Sequence, residues 1–125
     1  MVHKKKEAGK MDRLISIFKL LSDETRLRML ILLYQEELCV CQLSGVLDVP
    51  QPRISQNLSK FRDMGLVIDE RKEKYVFYSL KRENKILLDI LRDIMNNIEA
   101  YSKLIEDRKG LIDKEDYLSQ CCNLK

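Results

Sequence analysis

The sequence is poor in groups on which membrane insertion and imidazole chemistry depend. It contains one histidine, His3, and no run of the roughly 20 apolar residues that a membrane span requires. The lysine run near the N-terminus is not followed by the apolar segment of a secretory signal. We therefore expect a soluble, cytoplasmic protein with no membrane partner, and one histidine cannot build an imidazole-rich metal site.

The same shortages argue against catalysis. No histidine lies beside any cysteine in the sequence, so a thiol nucleophile would lack its usual base. The chain has only four glycines, and they form no loop of the kind that cradles phosphates. The sequence predicts a protein that is not an enzyme and has no organic cofactor.

Length and composition are those of one small globular unit. The 125 residues are 45% hydrophobic and 34% charged, which is enough for a single core. We expect a domain over residues 8–108 and a tail over residues 109–125. The net charge of +3 is compatible with nucleic-acid binding but also with many enzymes, so charge alone decides little.

Helical spacing of apolar residues predicts four helices in the first half of the chain. They run over Met11–Leu21, about Asp23–Tyr34, within Glu36–Leu47, and from Gln51 to Met64. The third and fourth are short and separated by a tight break, which predicts a helix-turn-helix. The fourth helix presents a polar surface made of Gln51, Arg53, Ser55, Gln56, Asn57, Ser59, Lys60 and Arg62.

The second half is predicted to contain a β-hairpin and one long helix. Strand-forming residues flank a charged stretch over residues 69–74, which would project from the domain as the tip of the hairpin. The long helix, Glu83–Arg108, carries an apolar stripe that could pair with the first helix to form a two-fold dimer. A short further helix is expected around Lys114–Ser119. The fold class is mainly α with a small β-hairpin.

Four cysteines fall as two close pairs, Cys39 with Cys41 and Cys121 with Cys122. Adjacent cysteines bridge only by distorting the backbone, and structural disulfides are rare in a reducing cytosol. Thiolate sulfur instead selects soft ions, here As(III), Sb(III), Cd(II), Pb(II) or Zn(II). The four cysteines are therefore candidate metal ligands; the alternative is that they are small buried hydrophobes.

Three stretches, taken together, resemble the ArsR/SmtB family of metal-sensing repressors. They are residues 20–30, residues 37–43 (Glu-Leu-Cys-Val-Cys-Gln-Leu) and residues 51–67. The resemblance covers roughly residues 11–108 and implies a winged helix-turn-helix repressor that dimerises through its N-terminal and C-terminal helices. It also implies a thiol sensing site at Cys39 and Cys41. Family members that sense arsenic here carry a third cysteine where this chain has Ser44, so Cys121 or Cys122, from either subunit, is left to complete the site.

The polar helix has the side chains that base reading requires. Gln can bond adenine in two places, Arg can fork onto guanine, and Ser and Lys can reach phosphates. We expect base contacts from Gln51, Arg53, Ser55 and Gln56, and backbone contacts from Ser59, Lys60, Arg71, Lys72 and Lys74, the last three on the wing. A homodimer would present two such helices to double-stranded DNA, so the operator should be an imperfect palindrome.

The spacing of Cys39 and Cys41 suggests how an ion would act. Residues two apart on an α-helix point about 200° apart, so both sulfurs reach one ion only if the first turn is bent. Ion capture would then strain the helix that supports the DNA-reading helix. Two alternatives stay open: a thiol redox sensor of the same fold, and a winged-helix module that binds protein instead of DNA.

Overall fold

Helices dominate the computed structural model, which describes the backbone of residues 2–123 and the side chains of residues 9–119. The helices are α1 (Val2–Leu21), α2 (Glu24–Gln35), α3 (Val40–Leu47), α4 (Gln51–Asp63), α5 (Lys85–Asn96), α6 (Ser102–Gly110) and α7 (Lys114–Asn123), and the strands are β1 (Leu38–Cys39), β2 (Val67–Lys72) and β3 (Tyr75–Leu80). Short 3₁₀ turns at Ile98–Ala100 and Leu111–Asp113 precede α6 and α7. None of the helices in the described residues is long and apolar enough to cross a membrane.

The helix ends follow from local chemistry. Asp23 caps α2, because its carboxylate accepts the backbone N–H of Arg26 at 3.0 Å. Asp48 ends α3 in the left-handed region (φ 56°), and Gly65 turns the chain after α4 with φ 72°. Pro52 occupies the first turn of α4, where a missing N–H costs nothing. The predicted helix-turn-helix and hairpin are confirmed.

The core is built around α2. Five consecutive residues of this helix, 29–33, are at most 1% exposed, so α2 is covered on all sides. Helices α1, α5 and α6 and strand β3 pack against it. This central helix therefore carries the helix-turn-helix on one side and the C-terminal helices on the other.

The long helix expected over Glu83–Arg108 is wrong: the chain breaks after α5. Asn97 caps the end of α5, and its side-chain amide donates to the carbonyl of Asp93 at 2.8 Å. Asparagine competes for backbone partners in this way, which weakens a helix interior. The break lets α6 turn back onto α2, where Arg28 and Asp107 form two hydrogen bonds of 2.9 and 2.8 Å. The predicted tail helix is present and longer than expected, since α7 continues to Asn123.

A three-stranded antiparallel sheet, ordered β1-β3-β2, forms the wing and its base. Strand β1 has only two residues, and it pairs Leu38 with Tyr78 and Cys39 with Phe77. Strands β2 and β3 pair from Val67 opposite Leu80 out to Lys72 opposite Tyr75. The sheet thus joins the start of α3 to the projecting hairpin.

Candidate nucleic-acid interface and thiol site

Helix α4 has one buried and one exposed face. Ile54, Leu58 and Phe61 are fully buried, at helical spacing, against the core. The opposite face exposes the residues predicted to contact DNA: Arg53, Ser55, Gln56, Ser59 and Lys60, with Gln51 half-buried at the helix start. The structure therefore brings these six side chains onto one continuous polar surface.

Asn57 is the exception among the residues predicted to lie on that polar surface. It is 7% exposed, and its side-chain oxygen accepts from Arg26 Nε of α2 at 3.1 Å, while its amide faces Met29 Sδ at 3.6 Å. Its spacing from Ile54 and Phe61, three before and four after, was the signal for burial. Asn57 anchors α4 to the core instead of facing outward.

The turn between α3 and α4 is held by Ser44. Its hydroxyl donates to the carbonyl of Val49 at 2.6 Å, and the backbone N–H of Asp48 donates to the carbonyl of Ser44. Ser44 is the position where arsenic-sensing members of the family were expected to carry a third thiol. In this chain it serves the helix-turn-helix geometry.

The wing exposes Arg71, Lys72 and Lys74 as predicted. Lys72 forms ion pairs with Glu37 and Glu70, and its ammonium lies 5.6 Å from the centre of the Phe77 ring. The hydrogen bond to Glu37 raises the pKa of Lys72. A lysine in this position keeps its positive charge, and a phosphate would have to replace the carboxylate partner that it already has.

Cys39 and Cys41 lie on either side of the junction between β1 and α3. Cys39 ends the strand and precedes the helix with extended backbone (φ −97°, ψ 173°), while Cys41 lies in the first helical turn. They are 3% and 1% exposed. The expectation that both stand on one helix is therefore wrong, and the 200° separation does not apply, because Cys39 is outside the helix.

Gln42 supports this junction, a role that sequence reasoning missed. Its side-chain oxygen accepts the backbone N–H of Cys39 at 3.1 Å, and its amide donates to the carbonyl of Lys114 at 3.2 Å. The residue is 2% exposed; its hydrogen bond to the Cys39 backbone is buried, and that to Lys114 is partly buried. One buried amide ties the thiol site to the beginning of α7.

The two thiol positions differ chemically. Cys39 is a free thiol whose pKa is raised by burial, an effect that hydrogen bonds from nearby backbone N–H groups oppose. Cys41 is disulfide-bonded. Cys121 and Cys122 lie in the backbone of α7, but their side chains fall outside the described residues. Among the side chains of residues 9–119, no group of three or more His, Cys, Asp or Glu is placed to hold a metal ion.

Comparison with known proteins places this geometry in a family. Residues 23–69 match the family model of the bacterial regulatory proteins of the arsR family. The chain is 46% identical over 68 residues to the arsenic resistance transcriptional regulator ArsR1 of Pseudomonas putida, covering 54% of this chain and 53% of the relative. It is 48% identical over 67 residues to the arsenical resistance operon repressor of Escherichia coli, covering 53% and 57%. The chain thus spans little more than half the length of these relatives.

A solved structure extends the match beyond the central segment. HlyU from Vibrio cholerae superposes with a TM-score of 0.60 and 31% identity, covering 68% of this chain and 94% of that one. The likeness therefore covers nearly the whole of that relative. The chain belongs to the ArsR family of bacterial regulatory proteins and has their winged helix-turn-helix fold.

Proposed function

We propose that this protein is a homodimeric repressor that leaves its operator when a thiophilic metalloid, arsenite or antimonite, binds through cysteine thiolates. The observation that carries the proposal is the position of Cys39 and Cys41, two buried sulfurs at the entry to the helix-turn-helix. Cd(II), Pb(II) and Zn(II) are the alternative ions, since they share the preference for sulfur. The arsenic-resistance role of the two relatives above favours the metalloid.

The DNA half of the proposal rests on α4 and the wing. On the exposed face of α4, the amide of Gln56 and the guanidinium of Arg53 can contact base edges. Lys60 lies on the same side of the helix and can contact a phosphate. The wing adds cations at the end of a hairpin that is continuous with the start of α3. We propose Gln51, Arg53, Ser55 and Gln56 as base contacts, and Ser59, Lys60, Arg71, Lys72 and Lys74 as backbone contacts.

The dimer half rests on α1. Met11, Ile15 and Phe18 are 59%, 44% and 51% exposed, and their spacing of four and three places them on one face. An exposed apolar stripe of this kind favours association. A two-fold dimer through α1 and the C-terminal helices would present both α4 helices to successive major grooves of an imperfect palindrome.

The thiol chemistry fits arsenite without requiring free thiolates. Once a thiol reductant has opened the disulfide at Cys41, each As–S bond forms as a thiol proton leaves with one hydroxide of arsenous acid as water, so the raised pKa of Cys39 is no obstacle. A pyramidal As(III) site needs three sulfurs, and Cys39 and Cys41 supply two. We propose Cys121 or Cys122 as the third ligand, and both of them for a tetrahedral Cd(II), Pb(II) or Zn(II) site.

Operator release tests the proposal directly. A palindromic fragment is selected from random DNA, and its complex with the reduced protein is followed by fluorescence anisotropy during titration with arsenite, Cd(II) and Zn(II). We expect arsenite to release the wild type and to leave Cys39→Ser and Cys41→Ser bound. Ser16→Ala, an exposed change on α1, is the matched control and should behave as wild type. Release of the Cys39→Ser and Cys41→Ser complexes at wild-type arsenite concentrations would contradict the proposal.

A second candidate function is a thiol redox switch, which the disulfide at Cys41 favours. Hydrogen peroxide would take two protons and two electrons from a pair of thiols and leave as two waters. Peroxide and arsenite are compared on the same reduced complex. Release by micromolar peroxide but not by arsenite would favour the redox function over metalloid sensing.

A further inference from the structure

Helix α7 is held against the thiol site of its own chain by contacts to two other elements. The carbonyl of Lys114 accepts from Gln42 of α3 at 3.2 Å, and the carbonyl of Leu118 accepts from the hydroxyl of Tyr75 of β3 at 3.4 Å. The ring of Tyr117 lies so close to Gly45 of α3 that a Cβ there would overlap it. Three successive contacts thus fix α7 from its first residue to its middle.

These contacts bring α7 to the end of the sheet where the cysteines lie. Strands β1 and β3 are antiparallel with Cys39 opposite Phe77, and Tyr75 lies two residues from Phe77 on β3, toward the tip of the hairpin. The hydrogen bond from Tyr75 therefore holds Leu118 beside the strand that pairs with Cys39. The backbone of the tail pair follows Leu118 by three and four residues, about 4.5–6 Å of helix rise.

We propose that the tail pair, Cys121 and Cys122, completes the ion site of Cys39 and Cys41 within the same subunit, with Tyr117 against Gly45 as the positioning contact. The inference rests on the proposed function. Donation from the tail of the other subunit would require α7 to leave its contacts. Movement of α7 would also break the hydrogen bond from the amide of the buried Gln42 to the carbonyl of Lys114 and leave that amide without this partner.

Mixed dimers distinguish the two arrangements. A subunit with Cys39→Ser and Cys41→Ser is paired with one carrying Cys121→Ser and Cys122→Ser, each with its own affinity tag. Cd(II) is added as the probe to proteins whose disulfides have been reduced, and ultraviolet sulfur-to-cadmium absorbance gives the number of sulfurs per ion. We expect more than two sulfurs per ion in the wild type and no such ion in the mixed dimer. One such ion per mixed dimer would show a site shared between subunits and overturn the inference.

The wild type separates failure of this inference from failure of the proposed function. If wild-type Cd(II) has only two sulfurs while arsenite still releases DNA, the tail does not ligate and only this inference falls. If no ion releases DNA, the proposed function falls. In a protein that proves monomeric, more than two sulfurs per ion supports donation within one chain directly.

Oxidation provides a readout that needs no metal. The reduced wild type is treated with one equivalent of hydrogen peroxide, which forms one disulfide from two thiols and is reduced to two waters. We expect Cys41 to be linked to the tail pair within one chain, so that a non-reducing gel shows a monomer and peptide mapping shows the crosslink. A covalent dimer through the same cysteines would overturn the inference.

Gly45→Ala tests the positioning contact without removing a thiol. The added methyl overlaps the Tyr117 ring and should displace α7, lowering the sulfur count per Cd(II) to two. Gly9→Ala, where a methyl meets nothing within 4 Å, is the control and should keep the wild-type count. An unchanged count in a folded Gly45→Ala protein would remove Tyr117 from the proposal.

Discussion

Replacing Asp107 by Asn should destabilise the protein by about 3 kcal/mol, because it removes one charge from a buried pair. Asp107 is 3% exposed and accepts two hydrogen bonds from Arg28, at 2.9 and 2.8 Å. An amide can accept only one of these bonds, and the guanidinium keeps only the exposed carboxylate of Glu24, 3.4 Å away, as an ion-pair partner. The Arg28 side chain retains 13% exposure, so partial rehydration keeps the cost at the lower end of the range for buried pairs, about 3–5 kcal/mol.

Urea unfolding, followed by circular dichroism at one fixed protein concentration, measures the loss. With a slope of about 1.5 kcal/mol per molar urea, a loss of about 3 kcal/mol moves the midpoint down by about 2 M. Glu106→Gln, the exposed neighbour on the same helix, is the matched control and should shift the free energy of unfolding by less than about 0.5 kcal/mol. If the two variants unfold alike, the pair does not hold α6 on α2, and the account of the chain break after α5 is wrong.

Three other changes test separate parts of the structure. Gly45→Ala should lower the free energy of unfolding by about 1–3 kcal/mol, because the added methyl overpacks against Tyr117. Gly9→Ala should leave the free energy of unfolding unchanged or slightly raised. Urea unfolding measures both values, and equal stabilities of the two variants would contradict the contact. In a protein whose only cysteine is Cys39, the rate of iodoacetamide alkylation should rise with pH to a midpoint above the ordinary thiol pKa of about 8.5, because burial raises the pKa of Cys39. The raised pKa also contributes stability to the fold at neutral pH, and this contribution is lost as the pH rises through the folded-state pKa. An alkylation midpoint at or below about 8.5 would refute the prediction. Arg53→Ala should weaken operator binding by about 1–3 kcal/mol and relax the base preference, whereas Lys60→Ala should lower by about one the slope of log binding constant against log salt concentration. Anisotropy titrations at several salt concentrations measure both effects, with the exposed Lys109→Ala as the control that should change neither. If Arg53→Ala or Lys60→Ala behaves like this control, the contact assigned to that residue is wrong.

Local patterns were enough to predict the helix-turn-helix and the hairpin. Apolar spacing, the cap at Asp23 and the stop at Gly65 are all encoded within a few residues of the boundaries they set. The polar face of α4 followed from the same periodicity. Asn57 was misplaced because residue type was weighed above spacing: asparagine is usually exposed, but its position on the helix is that of a core residue.

Contacts between distant parts of the chain could not be predicted in this way. Arg28 and Asp107 are 79 residues apart, and Gln42 and Lys114 are 72 apart. Each looks like an ordinary exposed polar residue in sequence, and only the fold brings each one to its partner. An apolar stripe through Glu83–Arg108 likewise predicts a face that is covered, but it does not say whether one helix or two supply it.

The position of Cys39 outside α3 changes how an ion would act on DNA binding. No helical turn has to unwind for the two sulfurs to approach, so the strain falls on the strand-to-helix junction and on Gln42, which bonds the Cys39 backbone. Helix α3 has eight residues and a length of about 12 Å, too short for an internal hinge. A tilt at the start of α3 would therefore displace Ser44 and the turn that sets the orientation of α4. By linkage, the same factor by which an ion weakens DNA binding must be the factor by which DNA weakens ion binding, so bound operator should lower the affinity for arsenite.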